Sequence, residues 1–413
     1  MRIIVVSYYF PPLGLAGTAR PLALANFFAA RGDEVFVVTV KPISYPALDK
    51  SMEEQIDRRV TVVRVGSTDP ARVSRFLPIL WLKKILGKSA QKSVASTLFP
   101  DSKFGFVPGA VRAVKKLLVH DGATVVITTS PPVSAHIVGI EAARQPHVKW
   151  IADWRDIWSS LPFVDDGGER MAKAEALQKA IVESASLVTA TSPKTAAALA
   201  QKYQIETKTM FIPNGFSEDD FREQIRPEPV TIGVYGTLNH LVGFEQVADW
   251  LGEYGRSNGA REFQLRHVGH LDLPELEKVL TRNSLSEKFS STGYMPHQQS
   301  LNLIRSSAVN LIALSGEHDT SYVVPSKLWE LLRAEAPLIA ILPKGNAARE
   351  ILEERKFPGV WIVDTAAEFA AALVETIDVN SKCRGLRGAG DFSEFEWKAQ
   401  FARLAQRIDG LTK

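Results

Sequence analysis

The sequence predicts an α/β protein of two doubly wound domains in tandem, each a parallel sheet covered by helices on both faces. Three observations carry that prediction. Short continuous runs of β-branched residues alternate with helix-length segments along the chain, which is how strands buried on both faces read. The alternation breaks once, at "FIPNGFSEDDF" (211–221) and "RPEP" (226–229), and then restarts. A length of 413 residues favours two or three domains over one.

The elements follow in order. "RIIVVSYYF" (2–10) reads as a strand, a Gly/Pro loop follows, and an apolar-periodic helix spans about 19–31 until Gly32 stops it. Further strands are expected at 34–40, 60–65, 123–129, 148–152, 186–190 and 209–213, with helices at about 108–120, 168–184 and 194–203. After the break, strands are expected at 230–236, 262–269, 288–293, 308–314, 337–342 and 359–363. "FSEFEWKAQFARLAQRI" (392–408) reads as a final amphipathic helix. The expected domains are 1–220, joined by a C-terminal helix at 392–413, and 228–385, facing each other across a cleft.

Composition narrows the function classes. Hydrophobic residues make up 45% and charged residues 23%, values of a soluble protein with sizeable cores. A net charge of +3 is too small to argue for nucleic acid as a partner. The single cysteine, Cys383, excludes an internal disulfide and a cysteine-based metal site, and suits a reducing, cytoplasmic setting. The opening apolar run ends at "PP", too short for a signal sequence, and no run of 18 apolar residues occurs.

In open α/β sheets ligands bind at the carboxyl ends of strands, so the loops there hold the candidates. Gly14 and Gly17 in "PPLGLAGTARP" (11–21) serve either a tight turn or the close approach of backbone N–H groups to an oxyanion. The loop is not a GxGxxG and no acidic residue ends the second strand, so a dehydrogenase fingerprint is poorly met. "ADWRDIW" (152–158) brackets Arg155 between Asp153 and Asp156 at a strand end. That cluster reads either as an internal Arg–Asp salt bridge packed by tryptophans or as a loop contacting an acceptor hydroxyl or phosphate. "YGTLNHLVGFEQ" (235–246) is a third Gly-flanked turn. In "VPSKLWELLRAEAPLIAIL" (324–342), a helix opening at Pro325 or Ser326 would bury Leu328, Leu331 and Leu332. Lys327 and Glu330 would then form a solvated i,i+3 pair or look toward a ligand as phosphate and sugar-hydroxyl partners.

Several pieces in order resemble the GT-B glycosyltransferases of the family-4 type, which use nucleotide-sugar donors. They are "VVSYYFPPLGLAGTARPLALANFFAARGDEVFVVT", "TTSPPVSAHIVG" with "WIADWRDIW", "FIPNGF", "VYGTLNHLVGFEQV", "TGYMPHQQSLNLIRSSAVNLIAL" and "VPSKLWELLRAEAPLIA". The "DWRD" loop is similar to a subgroup making bacterial surface polysaccharides. The resemblance implies that Glu330 accepts hydroxyls of the donor ribose and that Ser326 and Lys327 lie near the diphosphate. It implies that the backbone around Tyr294 and Met295 meets the base, with Gly236 and Thr237 in the donor loop. Gly14 and Gly17 would approach the diphosphate or transferred sugar from the first domain. It further implies retaining transfer without metal or cofactor, the departing phosphate taking the acceptor's proton, with Asp153 or Asp156 as the competing base.

The chain departs from the family pattern in three places. Tyr322 stands eight residues before Glu330, where many relatives carry a first glutamate. Thr237 and Val242 occupy positions where many have an arginine and a lysine, leaving Lys327 and then Arg155 as candidate phosphate cations. Ser130-Pro131-Pro132 replaces a catalytic-site histidine, and His136, six residues on, is not assigned its role. The stretch 70–100 holds six Lys/Arg and no Asp or Glu among many apolar residues. It reads either as an amphipathic segment on anionic lipid, which would place a lipid-linked saccharide acceptor at the membrane, or as a helix packed on the first domain. Two other classes remain open: a nucleotide-sugar epimerase of the same architecture, and a non-catalytic binding subunit.

Overall fold

The computed structural model describes residues 1–14, 17–43, 45, 47–69, 99–118, 122–156, 158, 168–228, 230–257, 260–377 and 391–412. Two compact units emerge: Met1–Pro213 with Gln400–Lys413, and Asn214–Ala399. Almost all of the basic apolar stretch at 70–100 lies outside the described residues.

The first unit contains, in order, β1 (Arg2–Val6), α1 (Ala19–Arg31), β2 (Glu34–Val40), α2 (Lys50–Glu54), β3 (Val60–Val65), α3 (Val107–Leu117) and β4 (Thr124–Ser130). It continues with α4 (Ser134–Ala143), β5 (Val148–Trp154), α5 (Glu169–Ser184), β6 (Leu187–Ala190), α6 (Pro193–Tyr203) and β7 (Thr209–Phe211). All strands pair in parallel, in the order β3-β2-β1-β4-β5-β6-β7. The order reverses between β1 and β4, so the loops after those two strands flank a crevice at the sheet's carboxyl edge. β1 stops at Val6, short of the expected 2–10, because the chain turns into the Pro11-Pro12 loop, where two residues lack an N–H for the ladder. Gly32 ends α1 at φ +95°, a left-handed conformation that glycine adopts without a Cβ clash.

The second unit repeats the plan with β8 (Thr231–Tyr235), α7 (Phe244–Arg256), β9 (Gln264–Val268), α8 (Leu276–Arg282), β10 (Phe289–Ser291) and α9 (His297–Ser306). Then come β11 (Val309–Ala313), α10 (Leu328–Arg333), β12 (Leu338–Ile341), α11 (Ala347–Arg355), β13 (Val360–Ile362) and α12 (Ala366–Thr376). The sheet order is β10-β9-β8-β11-β12-β13, again all parallel, with the reversal between β8 and β11.

A last helix, α13 (Trp397–Thr412), buries Gln400, Phe401, Leu404, Ala405 and Ile408, one stripe at helical spacing. From Gln400 onward it belongs to the first unit, where Phe401 packs on Phe27 of α1 at 5.9 Å and Arg31 pairs with Asp409 at 2.9 Å. Among the described residues no helix is long and apolar enough to cross a membrane.

Candidate active site

A clamped carboxylate marks the second unit. α10 is only six residues long, because Ala334 leaves helical geometry and Pro337 leads into β12. It begins at Leu328, later than expected; Pro325 to Leu328 forms a preceding turn in which Leu328 N–H donates to the Pro325 carbonyl at 3.0 Å. Leu328, Leu331 and Leu332 are buried as expected, and Trp329 and Glu330 are buried with them. Glu330 is therefore not the fully solvated member of a surface pair. Lys327 Nζ donates to its Oε2 at 2.7 Å, and His297 Nε2, at the start of α9, lies 2.8 Å from its Oε1. Burial works against the charged form, but Lys327 and His297 outweigh it and hold the Glu330 carboxyl down at about 2. For His297, burial is outweighed in turn by the Glu330 carboxylate, so its pKa is raised. Asp220, in the short turn at 218–221, faces the same group, and burial raises its pKa. Tyr294 and Met295 are half-buried in the loop after β10, immediately ahead of His297, and Ser326 is half-buried beside Lys327.

The β8 end of the same sheet is built for close backbone approach. Gly236 (φ +111°) and Gly269 (φ +148°) end β8 and β9, and a Cβ on Gly269 would stand 2.0 Å from the Gly236 carbonyl oxygen. His267 fixes that carbonyl, with Nε2 at 2.9 Å from it and Nδ1 at 2.9 Å from Ser291 Oγ. Burial depresses the His267 pKa, so the ring is neutral; Nε2–H donates to the carbonyl and Nδ1 accepts from the serine. Across the reversal, Gly243 (φ +58°) caps α7 where a Cβ would meet the Leu314 carbonyl at 3.0 Å. Thr237 is exposed in this loop, and Val242 packs on the core. The exposed rings of His240 and His318, one from each loop, meet edge-on at 5.0 Å.

In the first unit the "DWRD" loop is a brace. Asp153 Oδ1 accepts from Arg20 Nη2 (2.7 Å) and Thr189 Oγ1 (2.6 Å), while Oδ2 accepts from Arg20 Nε (2.9 Å) and Thr129 Oγ1 (2.8 Å). All four acceptor positions of this buried carboxylate are taken, so none is left for an acceptor's proton. Burial opposes its charge, but Arg20 and the two threonines hold its pKa at about 2. Both features correct the expectation of Asp153 as a base, and the buried salt bridge runs to Arg20 rather than Arg155. Arg155 instead donates to three carbonyls: Nε to Ser130 (2.7 Å), Nη1 to Gly17 (2.8 Å) and Nη2 to Pro131 (2.7 Å). It thereby joins the two loops that flank the crevice. Asp156 is exposed. Gly14 is buried, and its N–H donates to the Ala47 carbonyl at 3.0 Å, so that group is not offered to an oxyanion. Gly17 lies open enough that a Cβ would meet Arg155 Nη1 and the Tyr9 ring at 3.4 Å. His136 is fully buried in α4, its Nδ1 2.7 Å from Thr128 Oγ1 and its ring 4.7 Å from that of Trp154.

Residues 17–215 match the model of the glycosyl transferase 4-like domain. No curated protein sequence matches. Among solved structures, sucrose-phosphate synthase from Thermosynechococcus elongatus superposes with a TM-score of 0.66 at 16% identity, covering 100% of this chain and 99% of that one. Anabaena HepE in complex with UDP and glucose gives 0.65 at 15%, covering 99% and 100%. A S. aureus TarM mutant in complex with UDP gives 0.65 at 10%, covering 98% and 99%. The fold is GT-B, and the residues that match the glycosyl transferase 4-like model coincide with nearly all of the first unit before its C-terminal helix.

Proposed function

We propose that the protein is a glycosyltransferase that moves a sugar from a nucleoside-diphosphate donor, a UDP-sugar, to a saccharide or lipid-linked acceptor in cell-surface polysaccharide synthesis. The observation that carries this reading is Glu330, an ionised carboxylate held by Lys327 on one oxygen and His297 on the other, with 12% of its side chain still exposed. Such a group is suited to accepting ribose hydroxyls. The glycosyl transferase 4-like match and the UDP named in complexes of two similar structures support it.

Transfer breaks the bond between the sugar's anomeric carbon and the diphosphate oxygen and forms one to the acceptor oxygen on the same face. The departing phosphate takes the acceptor's proton, a route favoured by the full occupancy of Asp153. Developing charge on the diphosphate is met by Lys327 and by the N-terminus of α7, whose loop carries Gly236 and Thr237. The Tyr294–Met295 backbone receives the base, Ser326 adds a hydroxyl near the diphosphate, and no metal is required. Arg155 and Gly17 shape the acceptor side. The basic, apolar composition of 70–100 supports an acceptor carried on lipid at the inner membrane surface.

The test is thermal unfolding with UDP, GDP, dTDP, ADP and CMP on wild type and Glu330→Ala. A ligand at 100 times its Kd stabilises by about 2.7 kcal/mol. A UDP shift in wild type that is lost in the variant is expected. Absence of a shift with every nucleotide, or an equal shift in both proteins, overturns the reading.

A further inference from the structure

The partners of Glu330 leave a definite pattern of unused acceptor capacity. A carboxylate offers about four lone-pair positions, two on each oxygen. Lys327 Nζ occupies one on Oε2 and His297 Nε2 faces one on Oε1, at 2.7 and 2.8 Å. Among the described residues, one position therefore remains on each oxygen. Two parallel acceptors about 2 Å apart match two neighbouring hydroxyls of a cis-diol, as a bidentate contact matches any paired donor. The arrangement depends on an imidazole contributed from 33 positions away, at the first residue of α9.

We propose that His297 is a positioning residue that, as imidazolium, fixes Glu330 to receive both hydroxyls of a ribose cis-diol, so that the preference for a ribonucleoside diphosphate over its 2′-deoxy form depends on His297 and weakens with rising pH. This rests on the donor reading of Glu330. An imidazolium gives a charge-assisted hydrogen bond to the carboxylate. Once neutral, the ring gives either a weaker N–H donor or, in its other tautomer, a lone pair facing the carboxylate, and Glu330 is freed to turn toward Lys327. Among the described residues, the charged groups acting on His297 include Glu330 and Lys327 from the 325–333 segment and Asp220 from the turn at 218–221. Glu330 and Asp220 favour its charged form and Lys327 opposes it; the balance, set against burial, lies above the ordinary histidine value. The ordering is therefore present at low pH and lost as pH rises through that raised value. A 2′-deoxy ligand leaves one acceptor position of a largely buried carboxylate unfilled, which lowers affinity by roughly 5- to 150-fold.

The experiment is calorimetric titration of the full chain with UDP and 2′-deoxyUDP at pH 6 and pH 9, for wild type, His297→Gln and Glu330→Gln. Wild type should prefer UDP by at least about fivefold at pH 6 and lose several-fold of that ratio at pH 9. Comparing two ligands at each pH cancels the diphosphate's own titration. His297→Gln should show a reduced ratio that no longer changes with pH. A wild-type ratio that is the same at both pH values overturns the proposal without recourse to any variant, as does a His297→Gln protein that keeps the wild-type ratio and its pH dependence. Failure of the donor reading looks different: wild type then binds no UDP, or Glu330→Gln binds both ligands as wild type does.

Discussion

Arg20 and Asp153 stand 133 residues apart in the chain and share two parallel hydrogen bonds, of 2.9 and 2.7 Å, in the interior of the first unit. Both side chains are nearly inaccessible, at 2% and 4%. Removing one partner of such a pair leaves an uncompensated buried charge. Arg20→Met should therefore destabilise the first unit by about 3–5 kcal/mol. Arg20→Met with Asp153→Leu should recover part of that loss, the remainder reflecting Thr129 and Thr189 hydroxyls left without their acceptor. Chemical denaturation followed by tryptophan emission reads the effect, because Trp150 and Trp154 are buried in the same unit.

Acid stability should fall in two stages. Burial depresses the His136 pKa to about 3, below the ordinary 6.5, so the native ring is neutral. A depressed folded-state pKa contributes stability above the unfolded value, lost as pH falls toward the folded one. The loss therefore begins near pH 6.5 with a slope of at most about 1.4 kcal/mol per pH unit. Asp153, held at about 2, adds its loss only below the ordinary carboxylate range. His136→Asn should flatten the upper stage and leave the lower one. Denaturation midpoints measured from pH 7 to pH 3 separate the two.

Gly269→Ala should strain the loops that follow β8 and β9. Its φ of +148° disfavours any side chain, and the added Cβ would stand 2.0 Å from the Gly236 carbonyl oxygen, a backbone atom with no room to yield. Displacing Gly236 also pulls on its hydrogen bond from His267. A loss of about 1–3 kcal/mol is expected, together with weaker UDP binding. Thermal unfolding and UDP titration of the variant check both parts.

Arg155→Lys keeps the charge but cannot reach three carbonyls with a planar fork. The Ser130–Pro131 and Gly17 loops should lose their common anchor. On the proposed function, transfer should slow by roughly 100-fold, the scale of a misplacement of about 1 Å, while UDP affinity stays unchanged. Parallel measurement of turnover and UDP Kd distinguishes this from a loss of donor binding.

Much of this architecture was legible along the chain, because β-branched runs such as 34–40 and 124–130 have no amphipathic period and read as strands covered on both sides. The Lys327–Glu330 contact was legible for a similar reason, since i,i+3 spacing alone brings such side chains together. His297 was not. Its relation to Glu330 arises from tertiary packing, and its one local signal is a helix-starting "PH" after the "GYM" loop. Arg20 left a clearer trace: it interrupts the buried stripe of Leu22, Leu24, Ala25 and Phe28, where an unpaired guanidinium could not stay. The bracketing of Arg155 by two aspartates suggested a local pair, yet Asp153 belongs to β5 while Arg155 lies in the bend that follows it. Tertiary partners claimed each of them instead, Arg20 for Asp153 and three loop carbonyls for Arg155.

The placement of α13 bears on how the protein is made. Phe401 lies 5.8 Å beneath the Arg20 guanidinium and packs on Phe27, while Ile408 and Leu404 are buried in the same unit. A ribosome delivers Arg20 long before Phe401, so the first unit waits, with one apolar face uncovered, through synthesis of the entire second unit. Nascent chains stalled before residue 400 should therefore expose α1 to chaperones and proteases, and the emergence of α13 closes the first unit rather than the second.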